Sequence, residues 1–270
     1  MKTRILTAGL LILSFASFAQ NQTADDDNIE YELKSNEKLG YIITKDDQKV
    51  EGVVKLAGSE KSPWDNQKKV RFLAKENIDP TAKRQHFKVL KVDDLKEYVA
   101  VENNAERRFR VIKFSNMRAA MSMGDGIGST IKGIKNASST THMAEVIIDG
   151  PITMYRLYGY PTMVAVGNAD VAQAEQDENN LRNNPDILVQ KGDDRPRELR
   201  TGDIKKLVDD CSAVSTKLAA GEFHTYDPAK EEKKKTGFGK LIKGETERLG
   251  SKLEDMGVEI FTAYNTTCKQ

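Results

Sequence analysis

The chain reads as an α+β protein: an antiparallel β-rich body, built as small sheets or a partly open barrel, followed by a helical C-terminal segment. Three observations carry that reading. Between residues 37 and 200, short runs of Val, Ile, Tyr and Phe recur between polar turns. From Asp203 onward the apolar spacing changes from alternation to a helical period. The chain has two cysteines, Cys211 and Cys268, and both fall in the helical segment.

The first residues, MKTRILTAGLLILSFASFAQ, have the layout of an export signal. Lys2 and Arg4 supply a positive start, Ile5 to Phe15 an apolar run, and Ser17 and Ala19 small side chains at the cleavage position. The run is shorter than the about 20 apolar residues that a membrane-spanning helix needs. Residues 1–19 are therefore expected to be removed on export, and the polar, acidic residues 20–36 to form a flexible lead-in.

The body, residues 37–200, is expected to open with a hairpin. Tyr41–Thr44 and Lys49–Leu56 are β-branched runs flanking the polar turn KDDQ. Strands are expected next at Lys69–Leu73, Phe87–Val92, Lys96–Val101 and Arg107–Phe114. In the last of these, RRFRVIKF, Phe109 and Val111 alternate with Ile112 and Phe114. An insertion rich in Gly and Met follows at about residues 116–142. Strand character returns in AEVIIDG and PITMYRLYGYPTMVAV, Asn168–Pro185 is a polar connection with partly helical character, and ILVQKGDDRPREL is a hairpin around Gly192–Asp194.

In the segment 201–270, Ile204, Leu207, Val208, Cys211, Val214 and Leu218 fall on one helical face, with Asp203 as cap and Gly221 as terminator. A second helical stretch carries Phe238, Leu241, Ile242, Leu249, Leu253, Met256 and Ile260 as its apolar stripe. In an oxidising compartment Cys211 and Cys268 read as a disulfide. In the chain-entropy account that bridge stabilises by about 4 kcal/mol.

The pieces GYIITKDDQKVEGVV, DGPITMYRLY, ILVQKGD, and DDC with the closing AYNTTC resemble a group of uncharacterised exported proteins of Gram-negative bacteria, which share a Gly-Tyr-Ile opening hairpin and C-terminal Cys and Tyr-Asn signatures. The resemblance implies a shared fold and an envelope location. It carries no activity and no catalytic residues.

Composition and motifs narrow the function. Without the export signal the chain has 40 basic and 41 acidic residues, which excludes the strongly basic footprint of a nucleic-acid partner. The stretch MSMGDGIGSTIKG, residues 121–133, is the most site-like. It lacks the lysine of a phosphate-binding P-loop and gives G-x-G-x-G rather than G-x-G-x-x-G. Read as a helix, Ala120, Gly124 and Gly128 line up every fourth residue beside Ile127 and Ile131, a surface for close approach of a partner helix or membrane. The simpler reading is an insertion loop. A basic amphipathic stretch at residues 233–253, with Phe238, Leu241 and Ile242, reads as a membrane-surface helix or as a satellite helix packed on the body.

Six methionines between Met117 and Met163 could hold Cu(I) but equally fill a core. His86, His142 and His224 share no metal-ligand spacing, and no cofactor is expected. The acidic pairs Asp46-Asp47, Asp93-Asp94 and Asp209-Asp210 are explained by turn and helix-start preferences. Trp64 reads as a loop aromatic folded back on the core. The expectation is an exported protein, periplasmic, envelope-associated or extracellular. It would act as a binding or interaction module whose partner is an envelope protein, a glycan or a small ligand. The alternative is a peripheral membrane protein using residues 117–136 or 233–253. A hydrolase with an unrecognised carboxylate site stands third.

Overall fold

The computed structural model describes residues 32–114, 141–161, 168–227 and 246–268. The elements described lie in the unit Leu33–Gln270. Ten strands form one open antiparallel sheet: β1 (Glu37–Thr44), β2 (Lys49–Lys55), β3 (Lys69–Ala74), β4 (Lys88–Lys91), β5 (Leu95–Glu102), β6 (Ala105–Lys113), β7 (Thr141–Ile148), β8 (Ile152–Leu157), β9 (Asp186–Lys191) and β10 (Arg197–Glu198). Their order is β10-β9-β8-β7-β6-β5-β1-β2-β3-β4. The helices are α1 (Asn168–Asn183), α2 (Thr201–Leu207), α3 (Ser212–Ala220) and α4 (Thr246–Thr267).

The sheet curls. A 3₁₀ turn at Pro63–Gln67, between β2 and β3, reaches Tyr158 at the end of β8, five strands from β2 in the order. There the Gln67 side-chain amide donates to the Tyr158 carbonyl at 2.8 Å. Tyr98 of β5 donates its hydroxyl to the Asn66 carbonyl of the same turn, also at 2.8 Å. Gly40 and Gly52 face each other across β1 and β2, where a Cβ would overlap the carbonyl of Val99 or Leu73. Glycine at both positions lets the strands close up.

Alternation assigns the two faces. Ile42, Val54, Phe72, Leu95, Tyr98, Phe109 and Met143 converge on the inner face of β1–β7. Tyr98 and Phe109 are stacked there with ring centroids 4.6 Å apart. On the same face of β8 and β9, Ile152, Met154, Ile187 and Val189 meet Ile204, Val214, Ile260, Phe261 and Tyr264 from the helices. The outer face buries a smaller cluster of Ile112, Ala144, Tyr155, Leu157 and Leu188. The helical segment therefore shares a core with β8 and β9.

Several expectations need correction. The helix expected across Ile204 and Leu218 is two helices, because Val208–Cys211 forms a turn and Cys211 takes an extended conformation at the start of α3. Asp203 sits in the first turn of α2, and Arg200 occupies the cap position. Gly221 does end α3, with φ 68° and its amide donating to the Leu218 carbonyl. Asn168–Asn183 is a 16-residue helix inside the β-rich body. The strand beginning PITMYRLY stops at Leu157, and β7 starts at Thr141, inside the span expected to be insertion. The signal residues 1–19, the glycine-rich stretch at 121–133 and residues 233–245 lie outside the described residues.

Candidate functional site

The β5–β6 hairpin has a two-residue turn, Asn103-Asn104, with φ 51° and 62°. Asparagine tolerates this left-handed conformation, and the tight turn fixes the register. Glu97 then lies opposite Arg110, and Val99 opposite Arg108. Alternation along ERRFRVIK sends Arg108 and Arg110 to the outer face and Arg107 and Phe109 to the inner one.

The outer face holds a network of ion pairs. Arg110 donates Nε to Glu97 at 2.8 Å, and both Nη atoms to Asp149 at 2.8 Å each, a bidentate clamp on the turn after β7. Arg108 donates Nη1 to Asp149 at 2.8 Å and Nη2 to Glu106 at 3.1 Å and to the Tyr41 hydroxyl at 3.4 Å. Hydrogen bonds from Arg110 hold the Asp149 carboxyl below its ordinary range, and the bond to Asp149 in turn raises Arg110. Burial raises the Tyr41 hydroxyl. A surface depression of about 330 Å³ borders the network, lined by Ile43, Lys96, Glu97, Arg110 and Val111.

The inner face carries a ladder of alternating charge across the sheet. Lys38 meets Glu102 at 2.8 Å, Glu102 meets Arg107 at 3.8 Å, and Arg107 meets Glu145 at 3.0 Å. Glu145 meets Arg156 at 3.1 Å, and Arg156 pairs with Glu254 of α4. The ladder separates the apolar core of β1–β7 from the core under the helices.

At the far end of α4, Cys211 and Cys268 come to disulfide distance, with Cα atoms 6.0 Å apart. Beside them Lys191 meets Asp210 at 2.8 Å and donates to the Leu207 carbonyl at 2.7 Å, while the Tyr264 hydroxyl donates to Asp210 at 2.9 Å. The hydrogen bond from Lys191 is the main reason the Asp210 carboxyl is lowered.

Of the residues singled out from the sequence, Cys211 and Cys268 are thus brought together. Ala120, Gly124, Ile127, Gly128, Ile131, Phe238, Leu241 and Ile242 fall outside the described residues. His142 is buried, with Nε2 3.2 Å from the Phe114 carbonyl, whereas His86 and His224 are exposed. Trp64 is buried in the 3₁₀ turn. Asp47 and Asp94 serve in turns, Asp94 accepting the Lys91 amide at 2.8 Å. Among the described residues no group of three or more His, Cys, Asp or Glu is placed to hold a metal ion, and no helix is long and apolar enough to cross a membrane. Sequence reading missed the Arg108–Arg110 network. Its arginines are visible in the strand pattern, but apart from Glu106 of the same strand their partners come from other elements.

No family model, no curated protein and no solved structure matches this chain.

Proposed function

We propose that this chain is an exported cell-envelope protein that works by binding through the outer face of its sheet. The observation that carries the reading is the Arg108–Arg110 network. Both guanidinium groups are tied to carboxylates from different elements, which gives a rigid surface of ordered charge. Asp149 is pushed down and Arg110 up, both away from neutrality, whereas acid–base catalysis needs a group poised near the working pH.

Other features support the same reading. The N-terminal layout is that of an export signal, and the two cysteines stand at bonding distance, which suits an oxidising compartment. The resemblance to exported envelope proteins agrees with it. The partner would be an envelope protein, a glycan or a small ligand.

The test is fractionation of cells expressing the full chain, followed by intact-mass measurement without reductant. Export predicts protein outside the cytosol that begins at Gln20 and has lost two hydrogens to a Cys211–Cys268 bond. Full-length protein in the cytosol with both thiols free overturns the reading.

A further inference from the structure

We propose that the outer face of the β3–β4 edge docks on the headgroup plane of an anionic phospholipid bilayer. The inference rests on the reading of this chain as a binding protein and supplies the chemical class of its partner. It uses neither residues 117–136 nor residues 233–253.

Residues 68–91 carry eight Lys or Arg against two Asp or Glu, in a chain whose formal net charge is +1. The strand register gathers three of these cations, Lys69, Arg71 and Lys91, on one surface. Lys69 pairs with Lys91, and Arg71 with Val89, so alternation puts all four side chains on the outer face. Neighbours lie about 5 Å apart across the strands and about 7 Å along them. Lys88 lies on the same edge strand but opposite Phe72, on the other face, and Lys83 and Arg84 lie in the connection that leads into it. All six cations are exposed.

Their electrostatic state sets them apart. Lys38, Arg107, Arg108, Arg110, Arg156 and Lys191 are each neutralised by a carboxylate. Among the described residues, Lys69, Arg71, Lys83, Arg84, Lys88 and Lys91 form no ion pair. Of the nearby acids, Asp79 accepts from Thr81, and Asp94 accepts the Lys91 amide. The protein leaves this block of charge uncompensated, which suits an external anionic partner.

The shape of the patch favours a lipid plane over a charged polymer. The cations spread over a strand pair and its adjoining loop, and Val89, 46% exposed, stands among them as an apolar contact for the headgroup boundary. Among the described residues no Phe, Tyr or Trp is exposed in this run to stack a nucleic-acid base, and its single exposed ring is the imidazole of His86. Phe87, the nearest ring, is half-buried, with the Lys55 ammonium 5.3 Å from its centroid.

The experiment is co-sedimentation of the protein, purified from cells expressing the full chain, with two kinds of vesicle. One is phosphatidylcholine alone, and the other contains about one third phosphatidylglycerol. The expected result is binding to the anionic vesicles alone, lost as salt rises from about 0.05 to about 0.5 M. The triple variant Lys69→Glu/Arg71→Glu/Lys91→Glu should bind about tenfold more weakly or worse. Lys205→Glu/Lys206→Glu/Lys217→Glu, with the same charge change on α2 and α3, should stay within about twofold of the parent. A neutral triple variant, Lys69→Gln/Arg71→Gln/Lys91→Gln, with an unchanged melting temperature separates loss of charge from loss of fold. Equal losses in the two charge-reversed proteins, no vesicle binding by the parent, or binding to dextran sulfate without binding to vesicles each overturn the proposal. Fractionation of the parent reports on export independently of any of these results.

Discussion

The side-chain amide of Asn265, on α4, pairs with both backbone groups of Ile152 at the start of β8. Its Nδ2 donates to the Ile152 carbonyl at 2.8 Å, and its Oδ1 accepts the Ile152 amide at 2.9 Å. The helix thus completes the edge of a strand turn 113 residues away in sequence. Gly150 makes the approach feasible: it has φ 156°, and a Cβ there would lie 2.7 Å from Asn265 Cγ.

Replacing Asn265 by Ala should therefore leave two backbone groups without their partner and destabilise the fold by about 1–3 kcal/mol. Gly150→Ala should do comparable damage, since the added methyl must displace the same side chain. Urea unfolding checks both. Midpoints unchanged in either variant would show that α4 is not held at this point.

Glu145 is the centre of the inner ladder, shared by Arg107 and Arg156. Its side chain is 11% exposed, and those of its partners are 34% and 25% exposed, so solvent compensates part of any loss. Glu145→Ala should cost about 2 kcal/mol, and Glu145→Gln about half that, because the amide oxygen still accepts one bond. Stability equal to the parent in Glu145→Ala would make the ladder a surface ornament rather than a support.

Acid should weaken the fold through Asp149, Asp210 and Glu102. Arg110, Lys191 and Lys38 respectively hold these carboxyls below their ordinary range in the folded state. A carboxyl depressed on folding contributes stability that is fully present above its unfolded pKa, about 3.9 for Asp and about 4.3 for Glu. That stability drains away as pH falls through the lower, folded value. Melting temperature should be level between about pH 5 and 7 and drop below about pH 4. Asp149→Asn should be destabilised at pH 6 and approach the parent at pH 2 to 3, as melts across that range will reveal.

Reduction should loosen the C-terminal end. A bond between Cys211 and Cys268 closes a loop of 57 residues, worth about 4 kcal/mol in the chain-entropy account. Reductant, or Cys211→Ser/Cys268→Ser, should lower the unfolding midpoint, and indifference to both would mean that the cysteines are not bonded in solution.

How far the site could be read from sequence follows from the distances involved. Arg108 and Arg110 are legible in RRFRVIK, since alternation fixes their common face. Their partners Glu97, Asp149 and Tyr41 lie 13, 39 and 67 residues from the arginines they meet. Only Glu97 follows from a local feature, the tight turn that sets the hairpin register, and nothing local marks Asp149 or Tyr41 as neighbours. The cation-rich run 68–91 was legible as composition, but the arrangement of Lys69, Arg71 and Lys91 on one face depends on the register of β3 against β4.

By itself, the amino-acid sequence determined the strands, their turns and the change to helix, because alternation, turn chemistry and helical period act over a few residues. It also identified Cys211 and Cys268 as the available pair. Tertiary structure decided that the strands join in one ten-stranded sheet, that this sheet curls, and that the C-terminal helices pack on its inner face at β8 and β9. It also broke the helix before Cys211. These outcomes come from contacts between distant residues, such as Gln67 with Tyr158 and Asn265 with Ile152. A local period carries no information about which distant surface will bury it.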